Sequence, residues 1–159
     1  MENEEKYNNI LTNAYKRMHR YTCAEASLQC LLEMWDITPR TLAWATGGYM
    51  GAISSGITTC GLLIGSSIAI GFRCGQGTDS IPELNEKKRS QAIKAVKKLY
   101  MDFLKEFNDT ECKKLSKYDL SNPNAAVEYT QKKGYKSTCD LFLKFVINKC
   151  NEMVEKGEI

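Results

Sequence analysis

The chain has 159 residues, 43% of them hydrophobic and 26% charged, with a formal net charge of +3. That length suits one domain with a self-sufficient core, and that balance excludes wholesale disorder. Basic residues are dispersed apart from Lys87, Lys88 and Arg89, so no basic stripe marks a nucleic-acid partner and none is expected.

In chain order, residues 1–6 are acidic and no apolar run follows before Cys23, so no secretory leader is read there and a cytoplasmic location is expected. Tyr7, Ile10, Leu11, Ala14, Tyr15 and Met18 recur at intervals of three and four, which predicts a first helix over residues 3–19. Thr22 and Glu25 form a Thr-x-x-Glu capping box. Ala24, Leu28, Leu31, Leu32 and Trp35 then give the second helix an apolar side up to about Asp36, ahead of Pro39.

Residues 41–72 form an uncharged stretch of 32 residues that holds seven of the eleven glycines. Its first half, with Gly47, Gly48, Gly51 and Gly56, reads as a loop or broken helix. Such a segment either joins two helices tightly or brings bare amides close to a bound group. Its second half, Ile57 to Phe72, is too short and too rich in Ser, Thr and Gly for a membrane span, and none is expected. A helix apolar all round is expected at the centre of a bundle, where small residues let neighbours approach.

After a polar turn at 75–80, residues 81–107 read as a long amphipathic helix with Ile93, Val96, Leu99, Tyr100, Phe103, Leu104 and Phe107 inward. Asn108, Asp109 and Thr110 end it, Thr110 being the expected cap of a short turn carrying Cys112 and Leu115. Ser121 and Pro123 open another helix, and Gly134 separates it from a last one over about 136–154. With no strand-like alternation and no repeat, the predicted fold is all-α: a single compact helical bundle over residues 1–159 with a buried, glycine-rich central helix.

Seven cysteines accompany a single histidine. In a reducing compartment they point to metal binding, redox chemistry or burial, and their odd number suits a disulfide framework poorly. Cys23 and Cys30 share a helix face, yet at about 1.5 Å per residue they stand roughly 10 Å apart, beyond the ~7 Å that a disulfide spans. Cys60 and Cys74 are about four turns apart and Cys139 and Cys150 about three, if each pair shares a helix. Each helix therefore offers one thiol to a compact site. Four segments with one cysteine each are a natural enclosure for an iron–sulfur cluster or a zinc ion, both of which accept four sulfur ligands.

Cys30, Cys74 and Cys150 have no evident partner and read as small buried hydrophobes, although Arg73 beside Cys74 is a cation that lowers a thiol pKa. His19 reads as a surface or capping group before a tuner of a thiol. C-x-x-C, C-x-x-C-H and zinc-finger spacings are missing, and one histidine excludes a multi-histidine metal site. Gly71, Gly75 and Gly77 follow a helix, where a phosphate-binding loop would precede one. Serine hydrolysis, phosphate transfer and dinucleotide binding find no support.

Four cysteine-bearing segments, with a glycine-rich loop between the first two, carry a resemblance. They are Tyr21-Thr22-Cys23-Ala24-Glu25-Ala26, Gly47-Gly48-Tyr49-Met50-Gly51, Thr59-Cys60-Gly61-Leu62-Leu63-Ile64-Gly65, Phe103 through Cys112 to Leu115, and Lys136-Ser137-Thr138-Cys139. From about residue 20 to 150 the chain resembles the redox-active protein family named C_GCAxxG_C_C for its cysteine pattern. Thr59 stands where the literal motif has glycine and Gly61-Leu62 where it has alanine, while Cys60 and Gly65 keep the pattern. The resemblance implies a redox role for Cys23, Cys60, Cys112 and Cys139. The split-Soret cytochromes look like relatives that combine such a domain with covalent haem and dimeric association. Without C-x-x-C-H this chain is not expected to carry c-type haem, whereas a homodimer is a modest expectation.

The leading expectation is an electron-transfer protein in which those four thiolates ligate an iron–sulfur cluster. The uncharged helix would lower the dielectric around it, and amides at Gly47, Gly48, Gly51 and Gly61 would hydrogen-bond sulfur and tune the potential. Two alternatives use the same thiols: a metal-free dithiol–disulfide protein, and a zinc-stapled structural or partner-binding module. If the protein is an enzyme it is an oxidoreductase, and its partner is an unidentified redox protein or small molecule.

Overall fold

A computed structural model describes residues 2–38, 40–79 and 81–159. Among them the chain forms nine α-helices and two short 3-10 segments, with no β-strand and one isolated antiparallel bridge between Thr59 and Glu111. The all-α expectation is met.

Helix α1 (Glu2–Arg20) buries Ile10, Leu11, Ala14 and Met18, the face its periodicity describes. Helix α2 (Cys23–Met34) starts on the capping box: Thr22 Oγ1 accepts from the Glu25 amide at 3.1 Å while Glu25 Oε2 accepts from the Thr22 amide at 3.0 Å. Two otherwise orphaned donors are satisfied reciprocally. Thr22→Ala should therefore lower stability by about 1 kcal/mol, read as an earlier urea midpoint. An unchanged midpoint would mean that the box contributes nothing to the start of α2.

The glycine-rich half of the uncharged stretch is a broken helix, made of a 3-10 turn (Arg40–Thr46) and the short α3 (Tyr49–Ile53). Helix α4 (Gly61–Gly75) is the central element, packed against α2, α5 and α9 with Leu62, Leu63, Ser66, Ala69 and Ile70 buried. It begins four residues later than the apolar run suggested, and Ile57 is 83% exposed, because residues 58–60 extend to bridge 110–112. The helix also continues past Phe72, carrying Arg73 to lie 5.1 Å from the centroid of the Trp35 ring.

Helices α2 and α4 meet at close quarters. A Cβ added at Gly65 would lie 2.2 Å from the Ala24 carbonyl oxygen and from Ser27 Oγ, and one at Gly61 would lie 2.4 Å from Cys23 Sγ. These two glycines, about one turn apart, let the start of α4 lie directly against the start of α2.

Helix α5 (Glu86–Phe107) starts later than Ile81 because Pro82–Leu84 forms a 3-10 turn and the Asn85 side chain caps the helix, accepting from the Lys88 amide at 3.2 Å. Ala95, Leu99 and Phe103 form its buried line. The stripe is narrower than expected, and Ile93 and Leu104 face solvent. Asn108 ends the helix in the left-handed conformation at φ 62°.

Helices α6 (Cys112–Ser116), α7 (Pro123–Gln131), α8 (Gly134–Ser137) and α9 (Cys139–Glu155) complete the chain. Glu111, not Thr110, is the N-cap of α6, and Asp109 Oδ1 accepts from the Thr110 and Glu111 amides at 2.8 Å just before it. Asn122, not Ser121, caps α7. The last long helix starts at Cys139 because Gly134–Ser137 is a separate turn, and Thr138 departs from helical backbone at φ −131° and ψ −69°. Among the described residues no helix is long and apolar enough to cross a membrane.

Candidate functional site

Each of the four motif cysteines stands at a helix start. Cys23, Cys112 and Cys139 are the first residues of α2, α6 and α9, and Cys60 is the N-cap of α4. The starts come together for separate reasons. Gly61 and Gly65 draw α4 onto α2, and α9 packs against both. The start of α6 is strapped to that of α4: the Cys60 amide donates to Thr110 O at 2.7 Å and the Cys112 amide to Thr58 O at 2.9 Å. Tyr49 secures the strap, its hydroxyl 2.7 Å from Thr58 Oγ1 and donating to Thr59 O at 2.5 Å.

Cys23, Cys60, Cys112 and Cys139 thereby line one cavity of about 90 Å³, whose remaining wall includes Met18, Met50, Ile53, Leu62, Leu115 and Phe142. Cys60 is buried, the other three are half-buried, and all are free thiols. Among the described residues no group of three or more His, Cys, Asp or Glu is arranged to hold a metal ion.

Burial pushes the Cys23 thiol up to about 12, and Cys112 and Cys139 add to the shift, while the amides of Ala24 and Cys23 oppose it. Cys60 is held well above its ordinary range by burial and then by Cys23 and Cys139, against the Leu62 amide. Burial and Cys139 push Cys112 up to about 11, with the Ser116 hydroxyl opposing. Cys139 is raised by burial, against hydrogen bonds from Tyr129 and Thr138. The Tyr129 hydroxyl is 3.2 Å from Cys139 Sγ, and Thr138 Oγ1 donates to the same sulfur at 3.7 Å. The four thiols are thus electrostatic neighbours. Negative charge on any one of them is disfavoured by poor solvation and by charge on the others, while the first-turn amides and nearby hydroxyls favour the thiolate.

Of the four glycines singled out in the sequence, Gly61 touches the site, packed under Cys23 Sγ. Gly47 packs on the Trp44 ring, a Cβ at Gly48 or Gly51 would meet nothing within 4 Å, and none of these three lines the cavity. The same segment reaches the site through Tyr49, Met50 and Ile53 instead. Tyr129 was also passed over in the sequence. Its ring packs between those of Tyr118 and Tyr135, with centroids 5.3 and 6.0 Å away in turn.

Cys30 and Cys150 are fully buried in the core, where burial pushes both thiols up to about 12. Cys74 is buried near the opposite end of α4, and burial raises its pKa despite the opposing Lys88 and Arg73. His19 does not line the cavity. It stacks on Tyr135 with centroids 4.1 Å apart and lies 3.6 Å from Asp140 Oδ1.

A family model described as "Putative redox-active protein (C_GCAxxG_C_C)" matches residues 21–153, a span that contains all four helix-start cysteines. No curated protein and no solved structure matches the chain significantly. Within the matched span, thiols from four helices share one cavity. The chain belongs to the C_GCAxxG_C_C family of putative redox-active proteins.

Proposed function

We propose that Cys23, Cys60, Cys112 and Cys139 hold an iron–sulfur cluster and that the protein carries electrons. The observation behind this reading is the shared cavity: four thiols, each from a different helix, ring one largely apolar space. Zinc and iron–sulfur clusters both accept four sulfur ligands, and the redox character of the family favours the redox-active group. When bound, such a cluster supplies a one-electron couple and cationic iron that offsets the repulsion among four thiolates.

The chain's own groups have distinct parts in this reading. The four sulfurs anchor the group. The Ala24 and Leu62 amides favour thiolate at Cys23 and Cys60, while Tyr129 and Thr138 direct hydroxyls at Cys139 Sγ. Hydrogen bonds to ligand sulfur stabilise its negative charge and tune the potential. Met18, Ile53, Leu62 and Phe142 limit water. A redox protein or small molecule that exchanges electrons with the site is the partner this reading requires, and a reducing, cytoplasmic setting suits seven free thiols.

The test is the visible absorption spectrum of protein purified without oxygen, with iron, zinc and acid-labile sulfide assayed on the same sample. Brown protein with iron and sulfide in proportion is the expected result. Colourless protein holding zinc alone would instead make the site a structural staple. Protein that holds no metal even after anaerobic reconstitution with iron and sulfide would leave a dithiol–disulfide couple between two of the four thiols.

A further inference from the structure

We infer that a groove at the other end of α4 binds a small amphipathic anion, an apolar body carrying one acidic head group. This goes beyond the proposed redox function and does not depend on it. Cys60 and Cys74 bracket α4 and are separated by about 20 Å along its axis, so the groove is remote from the thiol cavity.

The groove has a volume of about 720 Å³, within the range of small-molecule sites, which are mostly apolar with a few placed polar groups. Ile37 and Leu42 come from the segment after α2, Ile68 and Phe72 from α4, and Ala92 and Ile93 from α5. Lys88 and Arg89, in the first turns of the 22-residue α5, add two positive charges, and among the described residues no Asp or Glu lines the groove. The positive end of that helix adds to the same field. An apolar trough with cationic groups and no carboxylate is complementary to an acyl or aryl anion.

Two glycines strengthen the case. Gly71 and Gly75 both line the groove, and a Cβ added at either would meet nothing within 4 Å. Gly65 on the same helix is needed for close approach to α2, whereas these two serve no internal contact. A glycine inside a helix costs about 1 kcal/mol relative to alanine. At Gly71 the fold recovers nothing for that cost, and what the missing side chain leaves is room in the groove.

Binding is tested on the full chain with the fluorescent anion anilinonaphthalene sulfonate, displaced by dodecanoate or by uncharged dodecanol. Wild type should bind the dye saturably, and dodecanoate should displace it about tenfold more effectively than dodecanol, the scale of one charge-assisted contact. Gly71→Leu fills the trough from a position with free space, and should keep or raise the melting temperature while weakening dodecanoate binding by about tenfold or more. The double variant Lys88→Gln/Arg89→Gln should reduce dodecanoate affinity to that of dodecanol. The inference is overturned by an absence of saturable binding, by Gly71→Leu binding as wild type does, or by equal affinity for acid and alcohol. Sedimentation showing a dimer that Gly71→Leu dissociates would also overturn it, by assigning the groove to a second copy. None of these readouts involves the thiol cavity, so failure here leaves the redox reading untouched.

Discussion

Gly65→Ala should destabilise the chain by about 3 kcal/mol, the upper range for forcing an extra methyl group into a packed interface. The added carbon would sit 2.2 Å from both the Ala24 carbonyl oxygen and Ser27 Oγ. A backbone carbonyl cannot turn aside, so α2 and α4 must part, loosening the contact that buries Leu28, Leu62 and Leu63. Gly71→Ala, on the same helix but facing open space, should be neutral or stabilising by about 0.5–1 kcal/mol. Urea midpoints for the pair decide the matter: if the two variants unfold together, the close approach at Gly65 contributes nothing. Gly61→Ala is a different perturbation. Its first collision is with Cys23 Sγ at 2.4 Å, a side chain able to rotate, so the thiol cavity should be disturbed more than global stability.

Single replacement of Cys23, Cys60, Cys112 or Cys139 by serine should abolish the visible absorption of anaerobically purified protein and lower bound iron by about tenfold or more, since a hard hydroxyl is a poor substitute for a soft thiolate. Cys30→Ser and Cys150→Ser should retain iron and colour. Both residues are fully buried away from the thiol cavity, so their cost belongs to stability: about 1–3 kcal/mol at Cys30 for a buried hydroxyl without a compensating bond, and less at Cys150, where the Ser66 hydroxyl is a partner. Iron-to-protein ratios and melting curves on the same six variants separate the two effects. Equal iron loss at Cys150 and Cys60 would remove the basis for choosing the four helix-start thiols.

Much of this arrangement was legible in the residues. The Thr22–Glu25 box placed the start of α2, the spacing of Ile10, Leu11, Ala14 and Met18 described α1, and the uncharged run marked the central helix. The rise of a helix separated Cys60 from Cys74, and the structure puts them near opposite ends of α4.

What stayed hidden depends on contacts distant in sequence. An isolated bridge such as Thr59–Glu111 has no alternating pattern to announce it, so the late start of α4 and the pairing of the Cys60 and Cys112 segments could not be read. Among the glycines, composition drew attention to Gly47, Gly48 and Gly51, but only a neighbouring backbone reveals which glycine must lack a side chain, and that is Gly65. At Ile81 and Leu84 the apolar pattern runs ahead of the helix, and Pro82 and Asn85 are the stronger punctuation. Tyr129 reaches Cys139 across a turn that ends at a non-helical Thr138, and neither residue's local sequence signals the contact.

The strap between residues 58–60 and 110–112 has a bearing on how the protein is made. Cys23 and Cys139 are 116 residues apart in the chain, and the segments carrying Cys60 and Cys112 meet only after all of α5 has folded back. During synthesis the first three thiols can therefore gather on the α2–α4 contact and the strap, but the fourth joins them only when the first turn of α9 has left the ribosome. Any group that needs all four sulfurs can be completed only once α5 has folded back and the start of α9 is in place.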